Sequence, residues 1–311
     1  MNMKRRDFIK KSIGAGVAVS AALTFGNSEK LLGSQLPGKI NTDYDIVAIK
    51  GGEPDIMLRK AIEAMGGLGK YIKKGQKVLI KPNIGWDAIP ERAANTNPVL
   101  ISELVKQCFN AGAKEVNVFD NTCNEWTQCY KNSGIEKAVK DAGGKMVPGN
   151  SESYYQYVEL PKGTKLKNAK VHELVLSSDV FINVPVLKHH DSAGLSIAMK
   201  NLMGIVWDRG FWHRNDLHRC IAEFPLSYKP HLNIVDAYNV MMKNGPRGIS
   251  VSDVQKMQYL LVSTDIVAID AAAAKIFGTQ PEQIKYIRIA ADELKSGRRD
   301  LENLKINRIT L

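Results

Sequence analysis

The stretch from residue 77 to residue 119 restricts the fold more than any other part of the chain. An apolar run at 77–81 (KVLIK) is followed by Asn97-Pro98, a capping residue with proline at the first helical position. The next stretch, to Asn110, places Val99, Leu100, Leu104, Val105 and Phe109 on one helical face, and Ala111-Gly112-Ala113 ends it. A second apolar run follows at 115–119 (EVNVF). Strand, helix, strand at this spacing is the βαβ unit of a parallel sheet.

The same punctuation extends both ways. A strand is expected at 45–50, a helix at 54–71, and a helical stretch at 125–142 broken near Ser133-Gly134 and stopped by Gly143-Gly144. Downstream, 156–160 reads as part of an edge hairpin. Residues 180–184, 231–236 and 258–263 read as strands, 265–277 and 281–295 as helices, and 306–311 as a last strand. At 311 residues with 44% hydrophobic content the chain can bury a large core, as one domain or two lobes. The predicted fold class is therefore α/β, a mostly parallel sheet flanked by helices, over residues 43–311.

Residues 1–35 read differently. Arg5-Arg6-Asp7-Phe8-Ile9-Lys10 precedes a moderately apolar run at 13–25, in the order of a twin-arginine export signal. The run is shorter than the roughly 20 apolar residues of a membrane span, and no cysteine follows it to carry a lipid. The expectation is a protein handled by the twin-arginine export machinery, periplasmic after signal removal, with no stable membrane anchor. This segment has six basic against two acidic residues, so about +4 of the net charge of +11 belongs to it. The remainder holds no Lys/Arg run with interleaved aromatics, which argues against nucleic acid.

Four cysteines form no CxxC pair and no ferredoxin-type ladder, so an iron–sulfur cluster is not expected. Cys123 and Cys129 are near enough in sequence for a disulfide, although free thiols are the plainer reading. The GxxxxGK[ST], strand-following GxGxxG, GxSxG and HExxH patterns are all missing.

Chemistry gathers at the ends of the expected strands: Lys81 and Asn83; Asp120 and Asn121; Lys188, His189 and His190; Asp236; Thr264 and Asp265. In a parallel sheet these ends share one rim, the usual ligand position. Asn and Asp also form turns, but lysine has no such role. The densest stretch is 180–204, read as a strand, a polar loop carrying Lys188-His189-His190-Asp191, and a short helix closed by Gly204. That helix is apolar around Lys200 and Asn201, so the Lys200 ammonium needs a carboxylate such as Asp236 or Asp265, an anionic ligand, or a lowered pKa. Lys188, His189, His190 and Lys200 are the candidate catalytic groups, and Lys81, Asn83, Asn201 and Arg247 the candidate anion binders. Asp236, Asp265 and His189 could hold a divalent metal. Trp207 to Trp212 reads as a lid or as core aromatics.

The chain resembles the family known as domain of unknown function 362. The resemblance rests on Ile80-Lys81-Pro82-Asn83, Thr96-Asn97-Pro98, Asn183-Val184-Pro185-Val186-Leu187-Lys188-His189-His190 and Lys200-Asn201-Leu202-Met203-Gly204. It continues through Asn233-Ile234-Val235-Asp236 and from Ser263-Thr264-Asp265 to Ile269-Asp270. It implies an α/β fold and no particular reaction. Some members carry ferredoxin-like cysteine ladders, which this chain does not. The functional expectation is an exported enzyme acting on a small anionic molecule, the alternative a periplasmic binding or redox-accessory protein without catalysis.

Overall fold

A computed structural model describes residues 43–311; the export-signal reading of residues 1–35 lies outside the described residues. Twelve strands are found in this region: β1 (Ile46–Lys50), β2 (Lys77–Pro82), β3 (Glu115–Val118), β4 (Lys145–Met146), β5 (Tyr155–Glu159), β6 (Asn168–His172), β7 (Val180–Val184), β8 (Val186–His190), β9 (Gly194–Ser196), β10 (Leu232–Met241), β11 (Val254–Ser263) and β12 (Ile306–Thr310). Ten belong to one sheet with the path β12-β1-β11-β10-β7-β2-β3-β4, to which β8 adds beside β10 and β9 beside β8; β5 and β6 form a separate antiparallel hairpin.

Most neighbours in the large sheet are parallel. The exceptions are β11, which runs against both β1 and β10, and β9, which runs against β8. Alternation along each strand feeds a core on both faces. Val78 and Ile80 pack on one face with helices α1 (Pro54–Ala64) and α2 (Pro98–Asn110). Leu79 and Phe181 face the other side, against α3 (Ile266–Phe277) and Tyr286. One sheet with a core on each face takes the place of two lobes.

Local chemistry explains the long helices. Asn97 accepts the Val99 amide at 2.9 Å, so α2 starts at the expected cap and proline. Asp265 caps α3 through the amides of Val267 and Ala268, and Gly278 ends it at φ 95°. The stretch 125–142 is two helices, Trp126–Asn132 and Ile135–Asp141, with Gly134 at φ 73° between them. The expected helix at 281–295 is instead a succession of short turns around Lys285–Arg288.

Two corrections bear on the site. Residues 186–190 are a strand rather than a loop. The chain also reverses between β10 and β11, so the end of β11 lies on the opposite rim. Thr264 and Asp265 are thereby removed from the expected rim.

Candidate functional site: a lysine-lined cavity

A cavity of about 520 Å³ opens where the ends of β2 and β3 meet the β8–β9 hairpin, the helix Ala198–Asn201 and the helix Arg209–Asn215. Lys81, Asn83, Lys188, His190, Lys200 and Asn201 all line it. So do Asp120 and, beyond the strand-end groups, Cys123, Ser196, Arg209 and His213.

The floor is a buried polar network. Lys81 is 1% exposed and forms an ion pair with Asp120 at 2.8 Å. It also donates to the Pro82 carbonyl at 2.7 Å and to Asn201 Oδ1 at 3.0 Å. An ammonium has three donors, and all three of Lys81 are engaged by protein. Burial draws its pKa down while Asp120 opposes that shift. Lys81 is therefore an architectural cation rather than a free anion binder. Asp120 also accepts the Ile84 amide at 2.7 Å, which fixes the turn after β2.

Asn201 joins this pair to the rest. Its Oδ1 also accepts Asn83 Nδ2 at 3.0 Å, and its Nδ2 donates to Asn183 Oδ1 at 2.9 Å; Asn183 in turn donates to Asn233 Oδ1 at 3.0 Å. The asparagine that interrupts the apolar run of β7 is thus a link in a network crossing three strands. Asn201 has no donor or acceptor to spare for a ligand. The helix that carries it is held from below by Asp270, which accepts the amides of Ala198 at 2.7 Å and Met199 at 3.1 Å. Burial raises the Asp270 carboxyl to about 8.

Lys188 and Lys200 are arranged differently. Lys188, also 1% exposed, donates to Asn83 Oδ1 at 3.1 Å and to the Ala94 carbonyl, both neutral acceptors. With no carboxylate partner, its pKa is lowered by burial to about 7. Lys200 makes no hydrogen bond or ion pair among the described residues. The residue keeps partial exposure; desolvation lowers its pKa to about 8, with Cys123 and Asp120 opposing the shift and Arg209 and Lys81 adding to it. Neither Asp236 nor Asp265 pairs with it.

The two histidines separate because β8 is a strand. Residues two apart share a face, so Lys188 and His190 reach the cavity together and His189 does not. His190 Nδ1 accepts the Ala193 amide at 3.3 Å, which fixes the neutral ring with its proton on Nε2. Burial, helped by Lys200 and Lys188, lowers its pKa to about 2. His190 is accordingly a neutral N–H donor and a poor proton carrier. His189 accepts the Gly245 amide at 3.1 Å and lies 3.5 Å from Asp191.

Three further candidates lie elsewhere. The Arg247 side chain is exposed away from the cavity, and only its carbonyl is used, by Arg92. Asp236 turns to the amides of Asn97 at 2.8 Å and Tyr238 at 3.1 Å, and burial raises it to about 6. Asp265 caps α3 and lies 3.7 Å from Arg298. The set Asp236, Asp265 and His189 does not assemble, and among the described residues no group of three or more His, Cys, Asp or Glu could hold a metal.

The arginine that lines the cavity is Arg209, not Arg247. Its guanidinium binds the carbonyls of Asn121 at 2.8 Å and Thr122 at 2.7 Å, and lies 3.3 Å from Cys123 Sγ. It sits in the aromatic segment, where the tryptophans masked it in the sequence. Trp207 forms cavity wall, whereas Trp212 is fully buried against Phe224. Cys123 is exposed and all four cysteines are free thiols.

The chain is 24% identical over 235 residues to a thylakoid-associated protein of Synechocystis sp., a match covering 73% of this chain and 71% of that one. Among solved structures it is similar to the lactate racemase apoprotein of Thermoanaerobacterium thermosaccharolyticum, with TM-score 0.45 and 16% identity over 73% of this chain. It is also similar to a structural-genomics protein of Thermotoga maritima, with TM-score 0.46 and 10% identity over 77% of this chain. The matches span 56% and 60% of those longer chains. The sequence profile of the family described as "Domain of unknown function (DUF362)" matches residues 78–275, more than half of the chain. The chain belongs to that family.

Proposed function

We propose that the cavity binds a small anionic molecule, such as a carboxylate or phosphate compound, and acts on it as an enzyme. The observation that carries this reading is the contrast among three lysines on one wall. Lys81 is neutralised by Asp120, while Lys188 meets only neutral acceptors and Lys200 meets none. A buried ammonium without an anion is costly, and an incoming anion relieves that cost at Lys188; Lys200, which is only partly buried, offers its unpaired ammonium to the same anion. His190 Nε2–H and the Ser196 hydroxyl add neutral donors on the same wall. Lys188 and Lys200 hold pKa values near neutrality, which suits proton transfer at working pH.

Calorimetric screening of carboxylates and phosphate compounds, followed by an activity screen on the ligands found, tests this. A ligand that binds wild type and fails with Lys188→Ala and Lys200→Ala supports the site. Binding without any turnover returns the chain to the alternative of a binding or redox-accessory protein.

The Arg5-Arg6-Asp7-Phe8-Ile9-Lys10 order supports an exported, periplasmic protein. No helix of the described residues is long and apolar enough to cross a membrane. Cell fractionation of the full chain and of its Arg5→Lys/Arg6→Lys variant checks this. Export of both to the same extent contradicts it.

A further inference from the structure

We infer that Lys200 is a nucleophile that forms an imine with the carbonyl carbon of an oxoacid, whose carboxylate is held beside Lys188. The inference rests on the anion-site reading above and narrows it to anions that carry an aldehyde or ketone.

Three observations carry it. First, Lys200 Nζ is the one lysine nitrogen of this wall without a protein partner, although Asn201 beside it has every polar atom engaged. A lysine that served only as a fixed positive charge in so polar a network would be expected to hold an acceptor, as Lys81 and Lys188 do. Second, Arg209 and Lys81 both disfavour its protonated form; Cys123 and Asp120 oppose them, but neither pairs with Lys200, and Asp120 is already taken by Lys81. With its pKa lowered to about 8, Lys200 gives up its proton more readily than an ordinary lysine, so the free amine with its lone pair is reached at working pH. Third, two neutral donors on the same wall are also without a protein partner among the described residues and face the cavity. Ser196 is 5% exposed and its hydroxyl makes no hydrogen bond among the described residues. His190, 6% exposed, keeps Nε2–H free because Nδ1 is taken by Ala193. Ser196 stands directly opposite Lys188 in the β8–β9 pairing, so these donors and Lys188 come from one rigid hairpin.

The chemistry needs no further reactant. The Lys200 amine attacks the carbonyl carbon, the N–C bond forms, and the carbonyl π pair moves to oxygen, which takes up a proton given up by the nitrogen. The resulting carbinolamine loses that oxygen as water, with the nitrogen's second proton, while the C=N bond forms, so amine and carbonyl give imine and water. Ser196 and His190 Nε2–H would donate hydrogen bonds to the departing oxygen. The carboxylate, placed at Lys188, sets which carbonyl carbon faces Nζ.

The test is reductive trapping on the full chain. Wild type and Lys200→Arg, the latter keeping the charge, are incubated with glyoxylate or 2-oxoglutarate and sodium borohydride, then weighed intact and peptide-mapped. Binding of the same two acids is measured in parallel without borohydride. The expected result is one stable adduct per chain at Lys200, at least tenfold above any surface lysine, and no such adduct in Lys200→Arg. Should that variant fail to fold, the wild-type map decides by itself. Binding of either acid without an adduct at Lys200, or with the adduct at Lys188, overturns the imine and leaves the anion site standing. If neither acid binds but other anions do, the oxoacid assignment is overturned alone. If no anion binds, both readings fall.

Discussion

Gly204 lies so close to Asp120 that a Cβ placed on it would be 1.9 Å from Oδ1, and only 2.6 Å from Lys81 Nζ. The glycine of the Lys-Asn-Leu-Met-Gly segment is therefore required by close approach rather than by backbone conformation. The end of one helix and the ends of two strands share a space that admits no side chain. Gly204→Ala should push the ion pair apart, and breaking such a pair costs about 3–5 kcal/mol. Chemical denaturation should show a lowered midpoint with an unchanged slope.

Lys81 and Lys200 should part company on mutation. Lys81→Met strands the Asp120 carboxylate in the core and should destabilise by about 3–5 kcal/mol, with part recovered in Lys81→Met/Asp120→Asn. Lys200→Met leaves no partner behind and removes a partly buried, unpaired charge, so thermal stability should hold or rise while ligand binding falls. A double-mutant cycle on unfolding free energy checks the first claim, and the single variant's melting temperature the second.

Anion affinity should fall with rising pH. In the free protein Lys188 is charged below about pH 7 and Lys200 below about pH 8. An anion favours the charged form, so binding raises both pKa values and takes up protons. Affinity should thus be greatest below pH 7 and decline through the window from 7 to 8 and above. Calorimetry in two buffers of different ionisation enthalpy measures the proton uptake near pH 7.5 directly.

Stability carries the opposite signature for the same groups. Lys188 binds its proton less tightly when folded than when unfolded, so its charged form costs stability fully below about pH 7, and that cost disappears as the pH rises toward 10. Asp270, raised to about 8 by burial, works the other way: its contribution is present below the unfolded carboxylate range and is lost as pH rises through about 8. In Asp270→Asn the fall in melting temperature between pH 5 and 8 should be reduced relative to wild type.

Much of this was legible in the chain. The βαβ alternation, the Asn97-Pro98 start and the break at Gly134 are local signals, and local chemistry produced them. Lysines at strand ends also marked the cavity, because lysine has no role as a turn former, although Lys81 proves to serve the architecture through Asp120. Strand direction is not local, and 258–263 reads the same either way. The missed clue was the absence of a helical pattern between β10 and β11, since a parallel return normally needs a crossover helix. Reading 186–190 as a loop hid the two-residue period that separates His189 from His190. Arg209 was overlooked because its role depends on two carbonyls of the Asn121-Thr122 turn, which nothing near it in sequence announces.

The central claim is that Lys200 and Lys188 meet an anion. Titration calorimetry of wild type and Lys200→Met with a panel of small carboxylates and phosphate compounds at pH 6.5 tests it most directly. A charged hydrogen bond of about 1.5–3 kcal/mol predicts one-to-one binding to wild type, weakened roughly tenfold to a hundredfold in Lys200→Met. A wild-type protein that binds none of the panel, or a variant that binds as tightly as wild type, contradicts it.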